Sequence, residues 1–365
     1  MNLRRVLALL GKRDEPTDGL RDYCRYLGEA LARRSIRLEA AEVPWQDRGW
    51  FRALAHLRRE SKNWKGDWAL VQYTALGWSR RGFPFGFLAV LWVLRCCGAK
   101  CAIVFHDANP FPGGRRVDRV RRAYQRRIMR RAYSLAERCI FPIPIEKVAW
   151  LPANRSKAVF IPIGANLPEC GCVRATTPEP PRSNTARTIA IFSVTGGHVD
   201  FELSQIRHAV CRASEKVPQL ELVVFGRGSL ETRDVFVKAF EGTPVKLSIL
   251  GLLPAEQLVR QLADADVLLF VRGSLSGRRG SALAGIACGL PIVGFAGPET
   301  GFPLTGAGVE LVPAWDRDAL ADALTRVLSD DALRSELRER SRRAQANYFS
   351  WDRIAEQLAT VLGNA

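Results

Sequence analysis

Histidine and methionine are scarce in this chain of 365 residues, which has four of the first and two of the second. His56, His106, His198 and His208 form no two-histidine helical pair. The nine cysteines provide no zinc spacing either: Cys96-Cys97 and Cys170-Gly-Cys172 are too close, and the others are scattered. A histidine- or cysteine-built metal centre is therefore not expected, nor is a bound cofactor. An odd cysteine count without a secretory signal points to reduced thiols and a cytoplasmic chain. Long hydrophobic runs are missing too. The longest, Gly82 to Leu94, has thirteen residues, too few to span a bilayer. A buried helix accounts for it, with a helix dipping into a membrane surface as the alternative. There is no internal repeat and no low-complexity block.

Acidic residues are in deficit in only one half. Residues 1–160 hold 32 Lys+Arg against 14 Asp+Glu, while the remainder holds 22 against 23. The formal charge of +17 thus marks one domain, and such a field attracts a polyanion or an anionic membrane surface. Arg115 to Arg131 carries nine arginines, with Val117, Val120, Tyr124 and Ile128 at helical intervals. Seven of the nine tryptophans also lie in residues 1–160. An amphipathic helix packed on a sheet explains the apolar stripe but not the charge. Peripheral contact with anionic lipid explains both. Nucleic-acid binding has charge alone in its favour, without a reader motif, and is not expected.

Short β-type runs alternate with helical patterns, the signature of parallel sheets covered by helices in an α/β fold. In the first half, Val6–Leu10, Arg37–Val43, Ala69–Tyr73, Lys100–Phe105 and Arg138–Phe141 read as strands, and Asp18–Arg34 as a helix. A second series comprises Thr188–Val194, Leu220–Phe225, Lys246–Leu250, Val267–Val271, Pro291–Phe295 and Val309–Val312. Between them runs a proline-rich stretch containing TTPEPPRSNTAR. The expected organisation is a first domain over 1–166, a linker over 167–187 and a second domain over 188–345. A final helix over 346–365 is expected to cross back to the first domain. Two doubly wound domains facing a cleft put ligands at the carboxyl ends of the strands.

The most informative stretch is Ser276 to Gly294, SGRRGSALAGIACGLPIVG. Arg278 and Arg279 lead through Gly280 and Ser281 into a short helix. Unpaired amides at a helix start, a positive dipole end and two guanidinium forks suit an anion. A loop with solvated arginines is the plainer alternative, and the loop alone does not decide between them.

An ordered series of segments extends this. It runs through Ile161-Pro-Ile-Gly-Ala-Asn166, Leu222-Val-Val-Phe-Gly-Arg-Gly228, Ala265-Asp-Val-Leu-Leu269 and Leu283-Ala-Gly-Ile-Ala-Cys-Gly-Leu-Pro-Ile-Val293, ending in Phe349-Ser-Trp351. Most of residues 160–355 thereby resembles the donor half of GT-B glycosyltransferases, specifically the large retaining family 4. The resemblance implies two Rossmann-like domains facing a cleft (GT-B). It also implies a nucleotide-diphosphate sugar as co-substrate and metal-independent transfer with retention. The family's paired glutamates are absent, with Ser276 and Ala284 in their places, and no Lys/Arg pair follows Ser193-Val-Thr-Gly-Gly197. The Arg278-Arg279-Gly280-Ser281 loop is read as the replacement, in a divergent subgroup. Glu299 is the nearest remaining carboxylate in sequence, either meeting a sugar or ribose hydroxyl or standing as an exposed turn residue. Asp264-Ala-Asp266 mimics a metal-binding pattern at a position where the resemblance assigns a structural aspartate.

In the first domain, His106 and Asp107 follow an apolar strand directly. The resemblance places this pair against the transferred sugar or acceptor, in a positioning rather than a general-base role; a satisfied strand-end histidine is the alternative. Gly19, after the Gly11–Gly19 loop, and Gly196 and Gly197 in the second domain are expected to bring backbone close to phosphate or acceptor. Asp18 reads as a helix cap. The chain is thus expected to be a glycosyltransferase of polysaccharide assembly, acting on a glycan or lipid-linked acceptor. Its expected place is peripheral, on the inner face of the cytoplasmic membrane. A non-catalytic GT-B subunit scaffolding a partner transferase is the alternative that the missing glutamates motivate.

Overall fold

The structure is a computed structural model that describes residues 4–11, 18–168, 186–194 and 199–363. Most of the expected linker, at 169–185, lies outside the described residues, as do Gly196 and Gly197. The chain divides into two compact units, 1–166 with 351–365, and 167–350.

The first unit contains β1 (Arg4–Leu10), α1 (Gly19–Ala32), β2 (Ile36–Glu42), α2 (Trp45–Glu60) and β3 (Trp68–Tyr73). These are followed by α3 (Phe85–Cys96), β4 (Lys100–Phe105), α4 (Arg116–Leu135), β5 (Arg138–Phe141) and β6 (Ala158–Phe160). The strands pair in parallel in the order β2-β1-β3-β4-β5-β6. Strand β6 was not expected; three residues are too few to show a period. Side chains alternate across the sheet. Leu7, Leu9, Val71 and Ile103 meet α2, α3 and α4, whereas Val6, Ala8, Leu70 and Val104 meet α1 and the C-terminal helix Trp351–Gly363.

That helix completes the first unit's core. The Trp351 indole N–H donates to the Ala165 carbonyl at 2.8 Å, and its ring stacks on Tyr26 with centroids 5.9 Å apart. The Trp68 indole N–H donates to the Leu362 carbonyl at 2.9 Å. Arg33 adds an ion pair to Asp352 at 2.8 Å.

Helix α4 corrects the expected apolar stripe. Ile128 is buried with Met129 and Ala132, but Val117 and Val120 are 49% and 63% exposed. The first turns are held instead by polar contacts. Asp118 pairs with Arg121 at 2.7 Å, and Gln125 donates to the Gly82 carbonyl and accepts from the Phe111 amide, each at 2.8 Å.

The second unit runs β7 (Arg187–Phe192), α5 (Val199–Ser214), β8 (Leu220–Phe225), α6 (Arg233–Phe240), β9 (Val245–Gly251), α7 (Ala255–Asp264) and β10 (Val267–Ser274). It continues with α8 (Gly280–Ala287), β11 (Ile292–Phe295), β12 (Val309–Val312), α9 (Arg317–Ser329) and α10 (Asp331–Ala344). The order β12-β11-β10-β7-β8-β9, again all parallel, reverses direction between β7 and β10. In the first unit the reversal falls between β1 and β3. A crevice opens at the carboxyl ends of the strands at such a point, and it is where ligands of open α/β sheets bind. Asp266 sits at the opposite edge, accepting from the Thr188 amide at 2.8 Å and facing the buried Arg334 at 3.5 Å, which makes it a structural tie.

Trp351→Ala is expected to lower the unfolding free energy by about 3–5 kcal/mol through lost packing and the severed indole hydrogen bond. Urea unfolding followed by far-UV circular dichroism checks this, and an unchanged midpoint would show the last helix to be dispensable.

Candidate functional site

At the switch point of the second unit, β10 leaves the sheet through Val271-Arg-Gly-Ser274. Gly273 has φ +81°, and a Cβ on it would stand 3.0 Å from Nη2 of Arg279, so the guanidinium lies close over that glycine. The Leu275 amide donates to the Phe295 carbonyl at 2.8 Å, and a turn closed by the Arg279 amide on the Ser276 carbonyl at 3.0 Å leads into α8. No side chain among the described residues caps α8, so its first amides keep their donor capacity. The helix lies tightly on the sheet because Gly285 has no side chain; a Cβ there would be 2.9 Å from Leu268.

The two arginines of the loop have different surroundings. Arg278 Nε is 2.6 Å from Glu299 Oε2, and the Glu299 side chain is only 16% exposed. Glu299 is therefore not an exposed turn residue but the counter-ion of Arg278. Thr300 fastens the same loop, its hydroxyl donating to the Leu275 carbonyl and accepting from the Gly297 amide. Arg279 is buried deeper. Burial depresses its pKa first and the Arg278 and Arg272 charges add to this, against the opposing pull of Glu299. Among the described residues its Nε has no hydrogen-bond partner, nor has the buried Ser276 hydroxyl beside it in the loop. Gly280 is exposed, with open space where a side chain would be, and Ser281 is half-buried.

Sequence reasoning missed Arg227 and Arg272, which follow β8 and close β10. Burial also depresses the pKa of Arg272, with Glu202 opposing and Arg227 reinforcing the shift. The signal was their place, at strand ends flanking β7. Four guanidiniums thus share this end of the sheet with Glu202 and Glu299.

In the first unit His106 and Asp107 stand at the carboxyl end of β4. The His106 Nε2 lies 2.8 Å from Gln72 Oε1, and the Gln72 amide nitrogen donates to the Leu70 carbonyl at 3.2 Å. That orientation leaves oxygen facing the ring, so Nε2 carries the proton and Nδ1 its lone pair. Dense packing, including the Tyr23 ring edge-on at 4.9 Å, pushes the imidazole pKa down to about 3. Such a group is a poor base at neutral pH and a good neutral positioning residue. Asp107 accepts from the Ala75 amide at 2.8 Å, tying the β3 and β4 ends together. Asp18 caps α1 through the Leu20 and Arg21 amides at 3.0 and 3.2 Å, and the Gly19 carbonyl accepts from Asn166 at 2.8 Å. Gly196 and Gly197 lie outside the described residues.

Residues 195–330 match the sequence model of the family described as glycosyl transferases group 1. The chain is similar in fold to sucrose-phosphate synthase from Thermosynechococcus elongatus, with a TM-score of 0.67 and 19% identity over 99% of this chain and 98% of that one. HepE from Anabaena, solved with UDP and glucose, gives 0.66 at 14% identity, covering 99% and 100%. WaaG, a glycosyltransferase involved in lipopolysaccharide biosynthesis, gives 0.64 at 14%, with the same coverage. The fold is GT-B. No curated protein matches the chain. The arginine cluster of this GT-B chain falls within the half that carries the family match, and His106 in the half that shares only the fold.

The depressed His106 pKa has a definite sign. The unfolded imidazole takes its proton near the ordinary 6.5, whereas the folded one stays neutral down to about 3. Between those values the unfolded state binds more protons, so stability falls as pH drops through this window and is level above it. Urea midpoints measured across that range should slope less in His106→Gln than in the wild type. Equal slopes would show that the half-buried imidazole does not carry this dependence.

Proposed function

We propose that the chain is a glycosyltransferase whose second unit holds a nucleotide-diphosphate sugar through Arg278, Arg279, Gly280 and Ser281. Arg272, Gly196 and Gly197 assist. The observation that carries this is a pair of buried groups without a partner among the described residues, Arg279 Nε and Ser276 Oγ, at the uncapped start of α8 beside the β7/β10 switch. A diphosphate offers acceptors for both and charge for the surrounding guanidiniums. As transfer proceeds, the bond from the anomeric carbon to the diphosphate oxygen breaks and a bond to an acceptor hydroxyl oxygen forms. The acceptor hydroxyl proton passes to an oxygen of the departing diphosphate. Negative charge grows on the leaving diphosphate, where fixed donors in a dry site stabilise it most.

His106 and Asp107 of the first unit position the sugar or acceptor, and Gly19 brings backbone to the same end of that sheet. The neighbours' UDP and the family match support a UDP-type donor. Transfer with retention, without a metal, to a glycan or lipid-linked acceptor in polysaccharide assembly at the inner membrane face completes the reading. The arginine surplus of residues 1–160 supports the membrane part. A second reading, a non-catalytic subunit, is favoured by the absence of a carboxylate at Ser276 and the buried Ala284. Release of UDP from UDP-sugars by the purified chain would rule it out.

Calorimetric titration with UDP tests the donor site. Arg279→Ala should weaken binding by about 10–100-fold, the worth of charge-assisted hydrogen bonds, with the folded state retained. Unchanged affinity would sink the assignment. Glu299→Gln should bind UDP a few-fold more tightly, because it frees Arg278 from its present counter-ion (about a unit charge at short range). A loss of UDP affinity would instead place Glu299 on the nucleotide.

A further inference from the structure

The outer surface of α2 and α3 carries side chains that the first unit's core does not use. Phe51 is 93% exposed, Phe85 66% and Trp92 63%. Single exposed apolar residues are common, but three large aromatics on two neighbouring helices form a patch. Two open grooves of about 770 and 780 Å³ run along these helices and share Leu54 and Ala89 in their walls.

A rigid platform sets this exposure. Helix α2 is kinked at Gly49, where φ is +71°, and the next residue, Trp50, stacks on Trp45 with centroids 5.2 Å apart and planes 8° from parallel. The Trp50 ring occupies the place of a Cβ on Gly86, 2.1 Å away, so α3 accepts it only through that glycine. With Trp50 turned inward, Phe51 is directed out. Phe85 is braced by Tyr124 of α4 at 4.4 Å between centroids.

Around the aromatics stand Arg48, Arg52, Arg58, Arg59 and Arg80, none with an acidic partner among the described residues. Aromatic rings suited to the acyl boundary and cations suited to lipid phosphate are together on one face.

We propose that this α2–α3 face docks the chain on an anionic lipid bilayer, with Phe51, Phe85 and Trp92 inserted and the arginines at headgroup level. This deepens the membrane part of the proposed function by assigning it to α2 and α3 rather than to the arginine-rich α4. The charge complementarity between unpaired arginines and anionic headgroups selects this occupant over a neutral protein surface. It adds a membrane role to the exposed residues of the longest apolar run, whose other face is buried as Phe87, Val90, Leu91 and Leu94.

Co-sedimentation of the full chain with vesicles of phosphatidylglycerol and phosphatidylcholine tests this, against phosphatidylcholine alone. The chain should bind the mixed vesicles, bind the neutral ones weakly, and not be displaced by inorganic phosphate. Phe51→Ser with Trp92→Ser, and separately Arg48→Glu with Arg52→Glu, should each weaken binding by about tenfold or more. All four side chains are on the surface, and circular dichroism confirms folding.

Wild-type partitioning in both double variants would overturn the proposal. So would loss of binding confined to Arg126→Glu with Arg127→Glu on α4. Single-stranded RNA binding that the α2–α3 variants abolish, without vesicle binding, would assign the face to nucleic acid. A concentration-dependent dimer dissolved by Phe51→Ser would assign it to a second copy. UDP titration of the same variants keeps the readings apart, since the donor site should survive a failure here.

Discussion

Parallel strand pairing is the constraint on which the rest depends. Parallel neighbours cannot be joined by a hairpin, so each connection passes over a face and the strand carboxyl ends open on one edge. Each sheet then has one place where successive crossovers part, and the loops there diverge. In the second unit that place brings together Arg227, Arg272 and the Ser276–Arg279 loop from distant stretches of chain. In the first it collects His106, Asp107 and the α1 start. Nothing about these side chains alone would assemble them.

The two edges show opposite treatments of charge. At the amino edge of the second sheet, Asp266, Arg334 and Thr188 satisfy one another and lock helix α10 to the strands. At the carboxyl edge, guanidiniums outnumber carboxylates, and burial first, then the neighbouring guanidiniums, depresses the pKa of Arg272 and Arg279. Crowded like charges cost stability, and a fold tolerates them where an anion offsets the cost. The first unit places a neutral imidazole at the corresponding edge, held in one tautomer by Gln72, and so orients a lone pair without adding charge.

Much of this was legible from period and punctuation. Short apolar runs marked β1 to β5 and β7 to β12, and a strand buried on both faces, such as β3, is continuous in hydrophobic character. The three-residue β6 was not legible, since it gains its place only from pairing with β5. Arg278 and Arg279 were visible because Gly280 and Gly289 punctuate their helix. Their different surroundings were hidden. Glu299 reaches Arg278 only through the adjacency of β10 and β11, and Arg272 reads in sequence as the tail of a strand. The outward turn of Val117 and Val120 was equally hidden, because a helical stripe reports period and not which side of the period meets the sheet.

The return of Trp351–Gly363 to the first unit has a consequence for the order in which the molecule is made. All six strands of that unit leave the ribosome before any residue of the second, yet Tyr26 and Trp68 must wait for a helix translated about three hundred residues later. The second unit, continuous in sequence, has every segment it needs first. The first unit is therefore begun first and finished last, and a chain stopped within α10 leaves its amino-terminal half unclosed rather than its carboxyl-terminal one.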